Sequence, residues 1–97
     1  MEKFVYLNNL YDCYKELLTD KQKMYFEDYY FNNLSLSEIA ENYDVSRNAV
    51  HNQLKIIEEK LEEFEFKLQI SNKKKKIIKL LEGKVEDKFL ENIKNLL

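Results

Sequence analysis

The residues best suited to binding chemistry lie in one stretch, "NYDVSRNAVHNQLK", residues 42–55. If the segment after Val45 is helical, its outward positions are Ser46, Arg47, Asn48, His51, Asn52 and Lys55. Arginine pairs bidentately with guanine, asparagine pairs with adenine, and a helix N-terminus holds a phosphate. These six residues are therefore the candidate nucleic-acid-binding set. The alternative interpretation is a solvated polar face, which exposed polar residues usually form.

Enzymatic and metal-dependent chemistry are not indicated. The chain has one glycine, so it has no glycine-rich phosphate loop, and its carboxylates are scattered among other charged residues. His51 is the only histidine and has no cysteine nearby, which favours a surface polar contact over a metal ligand. Cys13 is the only cysteine, and its apolar neighbours predict a buried thiol that acts as a small hydrophobe. We therefore predict a protein that is not an enzyme and that has no cofactor or metal.

The charge of the chain is unevenly distributed. Residues 1–72 carry 8 Lys/Arg against 14 Asp/Glu, a net of −6, whereas residues 73–97 carry 8 against 4, a net of +4. The acidic balance of the first part weakens non-specific affinity for DNA, which comes mainly from phosphate neutralisation. The basic run Lys73, Lys74, Lys75 and Lys76 is a candidate phosphate anchor. The alternatives are a solubilising helix start and pairing with the acidic stretch 58–65 of another helix.

The sequence predicts a cytoplasmic protein. The first six residues, "MEKFVY", have neither an apolar core nor a small-residue cleavage site, so no signal peptide is expected. No run approaches the roughly 18 apolar residues of a membrane span. We therefore expect a cytoplasmic protein that does not insert into a membrane.

The patterns before residue 35 predict two helices. The first covers residues 3–18 and has an apolar face of Leu7, Leu10, Tyr14 and Leu17. Thr19 and Gln22 form a capping box that starts the second helix, which runs to about Phe31. This helix is expected to bury Met24, Phe26, Tyr29 and Tyr30. The many aromatics are expected to fill the core; the alternative is a nucleotide-stacking platform, which would be expected on a sheet or in a groove.

The next residues have the pattern of a helix-turn-helix. A capping box at Ser35 starts a third helix that runs to about Asn42, residues 43–45 form the turn, and Ser46 caps the fourth helix. Ala40 is small where the two helices cross, and the inward positions are Ile39, Tyr43, Val45, Val50 and Leu54. Asp44 occupies the turn position where glycine commonly adopts a left-handed backbone. This arrangement projects the start of the fourth helix outward.

The fourth helix continues as a heptad stripe of Val50, Leu54, Ile57, Leu61, Phe64 and Leu68. The stripe predicts a parallel homodimer in which Lys60 lies near Glu65 of the other copy. The alternative is that the stripe packs on the chain's own first or tail helix. Gly83 fits a helix C′ position or a mild kink. Together with a break near residues 71–72, it predicts one or two amphipathic tail helices whose apolar residues include Phe89 and Leu96. We therefore divide the chain into a domain at 1–70 and a tail at 71–97.

Two family resemblances add to this interpretation. Residues 19–61 resemble the DNA-binding fourth region of bacterial sigma-70-type factors. The motifs "LYD", "LLTDKQ", "SLSEIAE", "VSRNAV" and "LEEFEFKL" cover nearly the first 70 residues and resemble the YlxM family of small bacterial helix-turn-helix proteins. Their genes typically neighbour those of signal-recognition-particle components. Where that family often has Gln, Tyr and Asp on the recognition helix, this chain has Asn48, His51 and Asn52.

The resemblance implies an all-helical regulatory protein of co-translational protein targeting. Two functions fit it. The first is a nucleic-acid-binding regulator that places the six candidate residues in a groove of DNA or RNA. The second is a protein-interaction module that contacts the particle's GTPase or RNA, with the helix-turn-helix as a scaffold. The acidic surface and the long amphipathic helix suit a basic protein partner in the second case.

Overall fold

The computed structural model describes residues 2–97, and within these residues the chain is all-α. The helices are α1 (Glu2–Tyr14), α2 (Asp20–Tyr30), α3 (Leu36–Asn42), α4 (Arg47–Leu68), α5 (Ile70–Leu81) and α6 (Asp87–Leu96). One turn of 3₁₀ helix, Lys15–Leu17, follows α1. The predicted fold class, an all-α helix-turn-helix protein with a long fourth helix and a helical tail, is confirmed. No helix in the described part of the chain is both long and apolar enough to cross a membrane.

Local side-chain hydrogen bonds start the helices at the predicted residues. The Thr19 hydroxyl accepts from the Gln22 backbone N–H at 3.1 Å, and the Gln22 side chain accepts from the Thr19 N–H at 3.0 Å. Ser35 and Glu38 form the same reciprocal box at the start of α3. Because such bonds satisfy backbone donors that have no partner within the helix, they set where each helix begins.

The core lies among the first four helices, and α4 is its centre because α1, α2 and α3 all pack against it. Tyr11 of α1 stacks on Phe26 of α2 with ring centroids 4.3 Å apart. The largest fully buried side chains are Tyr14, Phe26, Leu7, Leu10, Ile39, Ile57, Leu61 and Val50. A chain of this size has one such core, and it fixes the direction of α4.

The end of the first helix differs from the prediction. The α-helix ends at Tyr14, and the following 3₁₀ turn has about three residues per turn instead of 3.6. This change of pitch shifts the apolar face by one position. Leu18 is therefore buried, whereas Leu17, which was predicted to face the core, is 56% exposed.

The buried face of α2 also differs from the prediction. Tyr25 and Phe26 are buried and lie at the centre of this face, and Tyr30 packs at its edge. Met24, one residue before this pair, is 49% exposed, and Tyr29 at the edge is 37% exposed. The prediction that these two residues are buried was wrong. Aromatic residues lie on every side of α2, so their spacing does not show which side faces the core.

The heptad stripe of α4 is part of the chain's own core. Val50, Leu54, Ile57 and Leu61 are buried against the other helices, and Phe64 packs against them. Only Leu68, at the end of the stripe, is exposed. The chain's own core therefore uses the stripe that the predicted parallel pairing would need, and the homodimer itself stays a prediction. The alternative, that the stripe packs on the chain's own helices, is the arrangement observed.

The tail consists of two helices. Gln69 has a left-handed backbone (φ 56°) and separates α4 from α5, so the break lies two residues before the predicted one. The start of α5 packs on α1, where Ser71 is buried. Gly83, with φ +74°, follows the last residues of α5, which is the predicted C′ position. On α6 it is Leu90 that is buried, whereas Phe89 and Leu96 of the predicted apolar face are exposed.

Candidate nucleic-acid interface

The crossing of α3 and α4 holds the candidate interface in place. Ile39 and Ala40 are buried at the crossing, and the Val45 N–H donates to the Ala40 carbonyl at 3.0 Å across the turn. Asp44 has φ 54°, the left-handed conformation predicted for it. Asp tolerates this region better than most residues, so the turn closes without glycine. Val50 and Leu54 then fix the inward side of α4.

The structure exposes all six predicted residues on the first turns of α4: Ser46, Arg47, Asn48, His51, Asn52 and Lys55. Residues 47, 48, 51, 52 and 55 recur at helical spacing, so they share one face of the helix. The opposite side of the same turns is buried in the core. The predicted site residues are therefore brought together on a surface that is open to a partner.

The N-terminus of α4 suits an anion better than those of α2 and α3. The Ser46 hydroxyl accepts from the Ala49 N–H at 3.0 Å, and the first turn of α4 contains no acidic residue. The first turns of α2 and α3 contain Asp20 and Glu38 instead. The helix dipole places partial positive charge at this N-terminus, and the first turn of α4 adds no carboxylate to oppose a phosphate there. The nearest acidic residue in the sequence is the exposed Asp44, two positions before Ser46.

The charge of α3 opposes tight binding of a polyanion. In a helix-turn-helix the first helix crosses the nucleic-acid backbone. Here that helix exposes Glu38 and Glu41 and has no basic residue. Hydrogen bonds from Ser35 hold the pKa of Glu38 below its usual value, so this carboxylate is ionised at neutral pH. Only Arg47 and Lys55 supply fixed positive charge on the α4 face, so the electrostatic part of the affinity is small.

Two further lysines come close to this face from other helices. A groove on one side of α4 is lined by Lys21 of α2 together with Asn52 and Gln53. A cleft on the other side is lined by Lys3 of α1 together with His51 and Lys55. Sequence reasoning missed both lysines, because they are 26 or more positions away from Arg47 and only the packing of α1 and α2 brings them near α4.

The predicted phosphate anchor does not join this face. Lys73, Lys75 and Lys76 are exposed and Lys74 is half-buried, within α5 rather than at its start. Lys74 and Lys75 line a small groove with side chains of α1, including Asp12 and Cys13. The salt bridges of residues 2–97 link other lysines to carboxylates, so pairing of this run with residues 58–65 is not seen within the chain.

Cys13 is half-buried and packs against the core. Burial raises the pKa of its thiol, which keeps the sulfur protonated and weakly reactive at neutral pH. The thiol was predicted to be buried; it is only partly buried, but it packs on the core as a small hydrophobe would. Residues 2–97 contain no group of three or more His, Cys, Asp or Glu side chains that could hold a metal ion.

Comparison with known proteins agrees with this geometry. Residues 1–96 match the profile of the UPF0122 family, described as "Putative helix-turn-helix protein, YlxM / p13 like". UPF0122 proteins of Bacillus thuringiensis, Bacillus velezensis and Bacillus mycoides are each 49% identical to this chain over 73 residues. The matched region covers 75% of this chain and 66% of each relative. The chain therefore belongs to the UPF0122 family of YlxM/p13-like helix-turn-helix proteins.

Proposed function

We propose that this protein is a nucleic-acid-binding regulator that uses the start of α4 as its recognition helix. One observation carries the proposal: six polar or basic residues, from Ser46 to Lys55, are exposed on a helix whose other side is fixed in the core. Fixed, outward-facing side chains at a helix N-terminus are the geometry by which helix-turn-helix proteins enter the major groove. The wider role is in the signal-recognition-particle pathway, and this link rests on the resemblance to YlxM proteins.

In the proposed complex, the N-terminal turns of α4 contact both backbone and bases. The free N–H groups near Ser46 hold a phosphate, which positions the helix. Arg47 and Asn48 then reach base edges, where arginine favours guanine and asparagine favours adenine. His51, Asn52 and Lys55 extend the contact along the groove, while Lys21 and Lys3 flank it.

Binding is expected to be weak and sensitive to salt. Two fixed cations on α4 and two flanking lysines neutralise few phosphates. Glu38 and Glu41 of α3 also repel the phosphate backbone of the nucleic acid. Weak affinity suits a protein whose target is already concentrated near it, as in an assembly with other components. DNA and RNA are both candidate targets.

The second candidate function is a protein-interaction module that binds the particle's GTPase or RNA. The observation that favours a protein partner is the second half of α4, where Glu59, Glu62 and Glu63 are exposed. Such an acidic surface attracts a basic protein and repels a nucleic acid. In this case the helix-turn-helix positions the acidic surface and makes no base contact itself.

A salt-dependent binding assay tests the first proposal. Fluorescence anisotropy would measure binding of the full chain to labelled duplex DNA and hairpin RNA at about 50 and 200 mM salt. We expect Arg47→Ala/Lys55→Ala to weaken binding at least about tenfold and to reduce the salt slope by nearly two, since each phosphate contact contributes about 0.9. Lys60→Ala/Lys67→Ala removes the same charge from the distal half of α4 and is the matched control.

The outcomes separate the two functions. If both double variants weaken binding equally, the effect reflects net charge, and the α4 start is not the interface. If neither nucleic acid binds at low salt while the purified GTPase of the particle does, the protein-interaction function replaces the first proposal.

A further inference from the structure

A cleft of about 570 Å³ opens beside the exposed face of α4. Its walls include three aromatic side chains, Phe4, Tyr29 and Tyr30, and its basic side is formed by Lys3, His51 and Lys55. We call this the aromatic cleft. Its volume falls within the roughly 300–1,000 Å³ of sites that hold small molecules. His51 and Lys55 belong to both the cleft and the α4 face, so the cleft adjoins that face.

The aromatic residues of the cleft are not fully used by the core. Phe4 and Tyr29 are each 37% exposed, although the pattern of α2 predicted a buried Tyr29. Tyr30 lies between them, with its ring centroid 5.9 Å from that of Phe4 and 5.0 Å from that of Tyr29. The Tyr30 hydroxyl donates a hydrogen bond to Glu58 of α4. Tyr30 is therefore held in place before any ligand arrives, and Phe4 and Tyr29 pack on either side of it. An aromatic ring that is already positioned lowers the entropic cost of binding.

The charges around the aromatic cleft suit a base that is attached to phosphates. Lys3 and Lys55 place two ammonium groups at the cleft, and His51 adds a polar ring. Glu58 is the one carboxylate among the lining residues, and it lies 3.8 Å from the Lys3 ammonium. Tyr30 and Lys3 both engage this carboxylate, so part of its charge is compensated. Aromatic faces bordered by cations are the usual means of holding unpaired bases.

We propose that the aromatic cleft accepts one unpaired nucleobase of a nucleic acid bound on α4. The base stacks on the exposed aromatic wall, and the adjoining phosphates lie against Lys3 and Lys55. A base within a perfect duplex must first be unpaired and unstacked, which costs free energy, whereas a bulged or loop base enters without that cost. The ligand class is therefore a duplex stem interrupted by an unpaired nucleotide. This inference rests on the proposed nucleic-acid binding by α4.

Three matched duplexes test the inference with the 97-residue chain. The first is a perfect duplex, the second contains one bulged adenosine, and the third contains an abasic bulge at the same place. We expect fluorescence anisotropy to show that the adenosine bulge binds about tenfold more tightly than the perfect duplex, the order of effect that one stacked base gives. The abasic bulge should bind as the perfect duplex does. DNA and RNA versions of the set show which sugar the site prefers.

Two variants of α2 assign the effect to the cleft. Tyr29→Leu should reduce the affinity ratio of bulged to perfect duplex from about ten to about one, because the leucine side chain has no aromatic face. Met24→Leu changes another exposed residue of the same helix that does not line the cleft, and it should keep the ratio. 2-Aminopurine in place of the bulged base should lose fluorescence on binding the wild type and not on binding Tyr29→Leu. Circular dichroism melting curves confirm that both variants fold.

The outcomes distinguish this inference from the proposed function. Equal binding of perfect and bulged duplexes overturns the cleft and leaves the α4 interface intact. An abasic bulge that binds as tightly as the adenosine bulge also overturns it, because duplex flexibility then explains the gain. If the wild type binds none of the three duplexes, the proposed function fails and the inference fails with it.

Discussion

At the residue scale, Glu65 holds the junction between α4 and α5. Its Oε1 accepts from the Tyr14 hydroxyl at 2.6 Å and from the Ser71 N–H at 3.1 Å, and its Oε2 accepts from the Asn72 N–H at 3.0 Å. The Tyr14 oxygen in turn accepts from the Ile70 N–H at 3.0 Å. Gln69, the residue before α5, gives no side-chain cap, so Glu65 and Tyr14 satisfy the first N–H groups of α5 in its place. A carboxylate there is further stabilised by the helix dipole.

Alkaline pH tests the bond between Tyr14 and Glu65. Burial, and then the hydrogen bond to Glu65, raises the pKa of Tyr14 from 10.0 to about 12. The unfolded chain loses this proton first, so the stabilisation is complete below pH 10 and is lost as pH rises to about 12. We expect urea titrations of Tyr14→Phe to show a shallower fall in the free energy of unfolding over this range, since phenylalanine has no proton to lose.

The same variant has a second expected effect at neutral pH. Without the hydroxyl, the Ile70 N–H loses its acceptor, which costs about 1–3 kcal/mol. Part of the alkaline slope should persist in Tyr14→Phe, because burial also raises the pKa of Tyr11, Tyr30 and Tyr43. Identical slopes in the wild type and the variant would show that Tyr14 is not linked to unfolding.

At the element scale, α4 combines two roles in one continuous helix. Its first turns present polar side chains outward, and the side that includes Val50, Leu54, Ile57 and Leu61 is buried. In a helix, the position of each residue in the chain fixes the direction of its side chain around the helix axis. Packing of the apolar side therefore also sets the direction in which the polar side chains point. The turn before α4 is therefore decisive, and it depends on Asp44 holding a left-handed backbone.

Substitutions at Asp44 test this turn. Asp44→Val should lower the free energy of unfolding by about 1–2 kcal/mol, because a β-branched side chain is strongly disfavoured at φ 54°. Asp44→Gly adopts this conformation without steric cost and should change stability by less than about 1 kcal/mol. Urea denaturation of the two variants beside the wild type measures both effects. Equal midpoints for valine and glycine would mean that the left-handed turn does not form in solution.

At the scale of the whole molecule, the first four helices make the core and the tail adds little to it. Leu90 is the one buried hydrophobic residue beyond α4, whereas Leu80, Phe89 and Leu96 of the tail are exposed. The stability of the molecule therefore depends on the residues that α4 contributes to the core. The heptad pattern of α4 reflects this intramolecular packing.

Two leucines of the stripe test this role. Leu61 is fully buried, so Leu61→Ala should lower the free energy of unfolding by about 2–5 kcal/mol. Leu68 is 45% exposed at the end of the stripe, and Leu68→Ala should cost less than about 1 kcal/mol. Thermal unfolding followed by circular dichroism at several protein concentrations measures both. A similar cost at both positions, with a melting temperature that depends on concentration, would indicate that the stripe is an intermolecular seam.

Much of the fold could be predicted because its determinants are local. The capping boxes at Thr19 and Ser35, the cap at Ser46 and the left-handed Asp44 all depend on residues a few positions apart. Helical spacing within α4 was likewise sufficient to place the six candidate residues on an exposed face. The helix-turn-helix and the location of its candidate interface were therefore determined by the sequence alone.

Only the tertiary structure decided what depends on residues far apart in the chain. An apolar stripe has the same spacing whether it faces another copy or its own core, and the packing of α1, α2 and α3 against α4 settled this choice. The aromatic cleft brings Phe4, Tyr29 and Lys55 together from three helices, and no local pattern encodes that meeting. Packing also decides which side of α2 faces the core and where α1 ends. Side-chain burial is a property of the assembled core and not of one helix.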